Sequence, residues 1–226
     1  MNNPDSTHDE HIRPNFQLFE TMLVTRNGQA RHLDLHLTRL QHSAFALDFH
    51  FDRAEALARV DAAITLAQSN DPSRLRLSLA RDGAINISNA ELSALPDQAV
   101  QLLIDHDALR NPRALAAHKT TLRADYDEGI CRAEARGAFD TLFFANDGRL
   151  IEGGRSNVFV LIDGTWCTPP VSDGALPGIM RGLLLEDSTW RARERTLYLA
   201  DILRAESLMV CNSLRGALRA RIMTDA

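Results

Sequence analysis

The chain has 226 residues, 45% of them apolar and 24% charged, with a formal net charge of −5. That is an ordinary globular composition, with room for one large domain or two modest ones, and its acidic balance argues against a nucleic-acid or anionic-membrane surface. No run approaches the ~20 apolar residues of a membrane span, the first two dozen residues lack a signal peptide's apolar core, and three widely spaced cysteines fit a reducing cytoplasm without disulfides.

Residues 1–14 are polar, carry Pro4 and Pro14 and show no periodicity, so a disordered leader is expected. Phe16 to Thr25 reads as a strand, and Asn27-Gly28 is a hairpin turn into a second short strand. Asp34 is expected to cap a helix whose apolar positions Leu33, Leu37, Leu40, Ala44 and Leu47 recur at spacings of four and three. Asp52 caps another, with Leu57, Val60, Ile64 and Ala67 on one face. Arg74 to Arg81 alternates, leucines against Arg74, Arg76 and Ser78, and turns at Asp82-Gly83 into a strand over Ala84 to Ser88. Val100 to Asp105 is one more apolar run.

Asn111-Pro112 lies in a polar stretch and marks the expected boundary between a small lobe over 15–108 and a larger one over 109–226. Beyond it a helix is expected from Leu122 to Arg136, stopped by Gly137. Strands follow over Phe139 to Ala145 and Ser156 to Ile162, with turns at Asn146-Asp147-Gly148 and Asp163-Gly164. Pro177-Gly178 opens a short helix, and the tail offers a strand over Thr196 to Leu199, a helical turn from Asp201 and a strand over Leu208 to Cys211. Mixed element order with several hairpins and no repeats predicts an α+β fold rather than a doubly wound parallel sheet.

One feature of composition points to chemistry. There are 24 arginines and a single lysine, Lys119. A bias towards arginine replaces lysine wherever any cation will do. It cannot replace an amine that must be neutral to attack a carbonyl, because a guanidinium stays protonated. Pro177-Gly178 before a helix leaves free N–H groups at Ile179 and Met180, an arrangement that serves either as a plain turn or as an anion site. Glu152, approaching an apolar strand, reads either as a surface carboxylate or as the partner of a heterocyclic nitrogen. His32 and His36 have metal-ligand spacing but neither an intervening glutamate nor a third ligand, so no metal site is expected. Cys131 and Cys211 read as small core residues, and Gly153-Gly154 is no dinucleotide fingerprint.

Taken in order, Lys119, Glu152 with Asn157 and Phe159, Thr168-Pro169-Pro170 and Leu176-Pro177-Gly178-Ile179-Met180-Arg181 resemble the class IV aminotransferases. Phe19-Glu20-Thr21 and His36-Leu37-Thr38-Arg39-Leu40 match that family's N-terminal signature, so the resemblance spans roughly residues 16–221. His118-Lys119-Thr120-Thr121-Leu122-Arg123 and Asn212-Ser213-Leu214-Arg215-Gly216 resemble a narrower branch, the aminodeoxychorismate lyases, particularly those fused behind aminodeoxychorismate synthase component I.

The resemblance implies a two-lobed, D-amino acid aminotransferase-like (fold-type IV) enzyme that uses pyridoxal 5′-phosphate (PLP). Lys119 would hold PLP as a Schiff base and later move the proton, and Glu152 would pair with the pyridine nitrogen. Arg39, the amides of Ile179 and Met180, and Ser213 would hold the phosphate; Asn157 would brace the cofactor loop; Thr21 would serve in proton transfer. Transaminases of this class often carry a tyrosine five residues after the lysine, facing the cofactor's phenolic oxygen. Here Ala124 stands there, with Tyr126 and Arg123 as the nearby substitutes, and Arg155 replaces a residue that is often small. The implied activity is lysis of aminodeoxychorismate to pyruvate and 4-aminobenzoate for folate synthesis. The alternatives are a transaminase for branched-chain or D-amino acids, and a catalytically idle module paired with aminodeoxychorismate synthase. A homodimer is expected by analogy.

Overall fold

A computed structural model describes residues 15–67, 71–95, 98–110 and 115–224. The leader over 1–14 and the Asn111-Pro112 boundary lie outside the described residues.

A three-stranded antiparallel sheet, in the order β1-β2-β3, is made by β1 (Leu18–Val24), β2 (Ser73–Leu79) and β3 (Ile85–Glu91). Period-two alternation gives it two different faces. Leu18, Met22, Leu75, Leu77 and Leu79 are fully buried against helices α1 (Leu33–Leu47) and α2 (Arg53–Ala67), each such side chain contributing roughly 1.5–3 kcal/mol. Phe19, Thr21, Arg74 and Arg76 lie on the other face and line a cleft.

Asp52 caps α2 as expected, accepting from the Ala54 and Glu55 amides at 2.8 and 3.1 Å. Leu57, expected on its inner face, is exposed; Ala56 and Val60 are the buried residues. α1 begins after His32, which adopts a left-handed backbone (φ 58°), and Asp34 does not cap it. Asp34 sits in the first turn, where the helix dipole favours it, and pairs with Arg53 at 2.5 Å. The second short strand expected after Asn27-Gly28 is reduced to one bridge, Val24 to Ala30, because α1 follows at once.

The second sheet has eight strands in the order β6-β5-β4-β11-β10-β7-β8-β9. In chain order these are β4 (Val100–Ala108), β5 (Asp140–Phe144), β6 (Leu150–Gly153), β7 (Asn157–Ile162), β8 (Thr165–Thr168), β9 (Ala192–Glu194), β10 (Ser207–Asn212) and β11 (Gly216–Ile222). β4 pairs in parallel with both β5 and β11, so the strand assigned from sequence to the small lobe belongs to the larger sheet. β7 and β10 are buried on both faces: Val158, Val160 and Val210 in one core, Phe159, Met209 and Cys211 in another under α4 (Ile179–Glu186). Such strands read as continuous apolar runs.

α3 (Ala124–Ala135) lies against β5, and Gly129 allows that approach, since a β-carbon there would collide with the Phe143 ring. The expected strand over Thr196 to Leu199 does not form. Leu197 instead fills the core and its carbonyl accepts from the Leu150 amide at 2.7 Å, while α5 (Leu199–Leu203) starts two residues later. No helix among the described residues is long and apolar enough to cross a membrane.

Candidate active site

The two sheets meet at a cleft of about 460 Å³, a volume in the range of small-molecule sites. The segment carrying Lys119 is laid along β1: the Phe19 amide donates to the Lys119 carbonyl at 3.0 Å and the Thr121 amide to Gln17 at 2.9 Å. His118, the neighbouring residue, hydrogen-bonds Ser43 Oγ on α1 at 3.0 Å, which ties this segment to the helix bearing Arg39. Lys119 Nζ lies 4.7 Å from the Phe19 ring centre. Burial, then the Arg123 and Arg39 charges, lower its pKa to about 7, against the pull of Glu20 and Glu152. A substantial fraction of this amine is therefore uncharged at neutral pH.

Glu152, at the end of β6, is the polar centre of the opposite wall. Tyr126 donates its hydroxyl to Oε1 at 2.9 Å, and Asn157 Nδ2 and the Leu176 amide donate to Oε2 at 3.0 and 3.1 Å. Three of a carboxylate's roughly four acceptor positions are thus filled, which leaves one on Oε1 for a ligand. Burial raises its pKa to about 7, against the Leu176 amide and Tyr126 hydroxyl that favour the charged form. The turn between Glu152 and Asn157 rests on Asp140, fully buried, which accepts from Ser156 Oγ at 2.6 Å and the Arg155 amide at 3.1 Å.

The other end of the cleft gathers donors. Asn157 Nδ2 also bonds the Leu176 carbonyl at 3.0 Å, and a β-carbon at 178 would overlap Asn157 Oδ1, so the Pro177-Gly178 approach to α4 requires glycine. The first-turn amides of α4 have no intrahelical partner, and Gly178 and Ile179 line the cleft. Ser213, in the turn between β10 and β11, is buried, and its Oγ has no hydrogen-bond partner among the described residues. Arg31 fixes that turn by donating to the Ser213 carbonyl at 2.5 Å.

Arg39 is held by Glu20, with Nε to Oε1 at 2.8 Å and Nη2 to Oε2 at 2.6 Å, and donates Nη1 to the Pro177 carbonyl at 3.0 Å. Of its five N–H donors, these bonds use three. Burial would raise the Glu20 pKa, but Arg39 and His36, whose Nδ1 lies 2.6 Å away, together hold it at about 2.

These residues fit PLP at each of its handles. A lysine that loses its proton near neutrality meets an aldehyde. A buried carboxylate with one free acceptor position meets a ring nitrogen. The unpartnered Ser213 Oγ, the α4 amides and the two spare Arg39 donors meet a phosphate. Among the described residues no cluster of His, Cys, Asp or Glu could hold a metal.

Of the residues singled out from sequence, Thr21, Arg39, Lys119, Tyr126, Glu152, Asn157, Ile179 and Ser213 line this one cleft. Met180 does not; it packs against the cluster of Phe159, Leu184, Met209 and Cys211. Tyr126 meets Glu152, and Arg123 lies over Phe19 and Tyr126 at 5.7 and 5.6 Å, whereas Ala124 is not part of the lining. Glu20 and Asp140 support the site without a role that the sequence motifs assign. Glu20 carries a visible signal, a carboxylate in register with Leu18 and Met22 on the core face of β1.

A family model described as amino-transferase class IV matches residues 17–222. A Schizosaccharomyces pombe protein provisionally named aminodeoxychorismate lyase is 28% identical over 205 residues, covering 88% of this chain and 86% of that one. A crystal structure from Mesorhizobium loti, provisionally named an amino-acid aminotransferase, superposes with a TM-score of 0.83 at 32% identity, covering 92% of this chain and all of that one. The PLP-bound form of a hypothetical aminotransferase from Mycobacterium tuberculosis superposes with a TM-score of 0.78 at 25% identity, covering 91% and 80%.

Proposed function

The chain belongs to the class IV aminotransferases, and from that premise we propose that it is a 4-amino-4-deoxychorismate lyase, releasing pyruvate and leaving 4-aminobenzoate. It is a PLP-dependent enzyme of the fold-type IV architecture. The observation that carries the reading is the placement of Lys119, with a pKa of about 7, in one cleft with the buried Glu152. Lysis rather than transfer is supported by the name of the S. pombe relative and by the Asn212 to Leu214 segment on the cleft wall.

PLP supplies an electron sink when bound. Lys119 would be its covalent anchor, Glu152 would keep the ring nitrogen protonated, and Arg39, Ser213 and the Ile179 and Met180 amides would hold the phosphate. Once the substrate amine has taken its place, neutral Lys119 would be the base that takes the proton from the ring carbon bearing the substrate nitrogen. That proton is returned to the methylene carbon of the departing enolpyruvyl group, so the products balance the substrate without water. Thr21, on the cleft face of β1, serves this transfer. Aromatisation supplies much of the driving force, leaving positioning and charge to the protein.

The second reading, amino-acid transamination, is favoured by the name of the M. loti structure. The test is the product. PLP-loaded protein given aminodeoxychorismate should yield pyruvate and 4-aminobenzoate in equal amounts, with loss of both in Lys119→Ala. Conversion of 2-oxoglutarate to glutamate with D-alanine or a branched-chain donor, without 4-aminobenzoate from aminodeoxychorismate, would establish the transaminase instead.

A further inference from the structure

The cleft has a wall whose charge the cofactor does not use. β1 and β2 pair with Thr21 opposite Arg76 and Leu23 opposite Arg74, so both arginines lie on the cleft face with Phe19 and Thr21. Arg76 stacks on Phe19 with Cζ 3.9 Å from the ring centre, and Arg123 approaches the same ring at 5.7 Å. Phe19 thus serves as a platform that holds guanidiniums side by side, because its face attracts each of them.

These cations are short of counter-ions. Arg123 donates Nε to Asp127 at 2.8 Å and Nη2 to the Gly154 carbonyl at 2.6 Å, leaving three of its five donors. Among the described residues Arg76 makes one long side-chain hydrogen bond, Nε to Ser78 Oγ at 3.5 Å, and no carboxylate forms an ion pair with it or with Arg74. Burial, then Arg123 and Arg74, disfavour the charge on Arg76, against the pull of Asp127. The neighbouring Arg155 is neutralised by Glu134 at 2.7 Å. Three guanidiniums against the single carboxylate of Asp127 leave an excess of two positive charges at the mouth.

We propose that Arg74, Arg76 and Arg123 form a two-carboxylate binding wall, so that the substrate is a dicarboxylate rather than a simple amino acid. This rests on the lyase reading and deepens it: aminodeoxychorismate carries one carboxylate on its ring and a second on its enolpyruvyl ether. Guanidinium forks suit carboxylates by their bidentate geometry. Arg76 and Arg123, which share the Phe19 ring, receive the two groups while Phe19 faces the substrate ring, and the exposed Arg74 adds charge at the rim. An amino acid with one carboxylate would leave much of the wall's charge unanswered.

The test uses PLP-loaded protein at low ionic strength and two probes, 3-(carboxymethoxy)benzoate and benzoate, titrated by calorimetry. The dicarboxylate should bind at least tenfold more tightly than benzoate. Arg76→Gln and Arg123→Gln should each weaken it about tenfold or more while changing benzoate less than threefold. Arg74→Gln, at an exposed position on β2, should have a smaller effect in the same direction. Retention of the cofactor's visible absorbance shows that each variant is folded, and Arg76→Lys should recover part of the affinity. Equal affinity for the two probes, or dicarboxylate binding untouched in both Gln variants, overturns the wall. Tight dicarboxylate binding without 4-aminobenzoate formation supports the wall and refutes the lyase reading. Lysis with KM unmoved in the arginine variants does the reverse.

Discussion

Changing Glu20 to Gln should destabilise the protein by about 3 kcal/mol at pH 7 and lower the Lys119 pKa further, since the Glu20 charge opposes its depression. Glu20 is 1% exposed and grips Arg39 with both oxygens, while His36 bonds Oε2. Its pKa falls from 4.5 to about 2 because Arg39 and His36 outweigh the burial that opposes them. At roughly 1.36 kcal/mol per pKa unit, that depression corresponds to about 3 kcal/mol. A depressed carboxylate stabilises the fold above its unfolded pKa of 4.5, and the contribution fades as pH falls through the folded value near 2. Urea denaturation of cofactor-free wild type and Glu20→Gln should therefore differ by about 3 kcal/mol at pH 7 and by about 1.5 kcal/mol at pH 3. The melting temperature at pH 7 should drop by roughly 6–12 °C for a chain of this size. A loss below 1 kcal/mol at pH 7, or a gap equally large at pH 3, would refute the view that this carboxylate is held charged by its partners.

Three further changes separate the cofactor's needs from the fold's. Ser213→Ala removes a buried hydroxyl with no partner, so the melting temperature of the cofactor-free protein should hold within about 1 °C while PLP affinity, followed by tryptophan fluorescence, falls about tenfold. Gly178→Ala forces a β-carbon onto Asn157 Oδ1; PLP should bind at least tenfold more weakly, and a crystal structure of the variant should show Asn157 moved off Glu152 or the start of α4 displaced. Glu152→Gln should cut turnover by a hundredfold or more with PLP still bound. Because burial raises the Glu152 pKa to about 7, the native carboxylate costs stability above pH 7 and nothing below its unfolded value of 4.5. The cofactor-free Gln variant should therefore be more stable than wild type by up to about 3 kcal/mol at pH 8 and equal to it near pH 4.

The parts of the fold legible in the sequence are those where one local pattern decides the outcome. Ser156 to Ile162 is a continuous apolar run because β7 is covered on both faces, and Asp52 is an N-cap because its side chain reaches two amides of its own helix. What failed depended on distant partners. Val100–Ala108 looks the same in either lobe, and only its parallel pairing with β5 and β11 assigns it. Thr196 to Leu199 alternates like a strand, yet Leu197 plugs a core and no ladder forms. The site divides in the same way. Lys119 stands out in composition and Glu152 in its motif, whereas the bidentate Glu20–Arg39 pair links residues on different elements whose contact no spacing announces.

The single lysine also acquires a sharper meaning beside its neighbours. Arg39 and Arg123 both act on Lys119 electrostatically, and both lower its pKa. Either could have been a lysine as far as charge is concerned. A second amine in this cleft would be partly deprotonated by the same burial and would compete for any carbonyl that enters. Guanidinium groups depress the Lys119 pKa without offering a rival nucleophile, since they remain protonated. Glu20 then keeps Arg39 from overdoing that depression, its negative charge raising the Lys119 pKa while it orients the arginine. The reactivity of one amine is thus set by its burial and by charged neighbours, Arg123, Arg39, Glu20 and Glu152, that do not compete with it as amines, and this is a physical reason for lysine to stand at position 119 while arginine surrounds it.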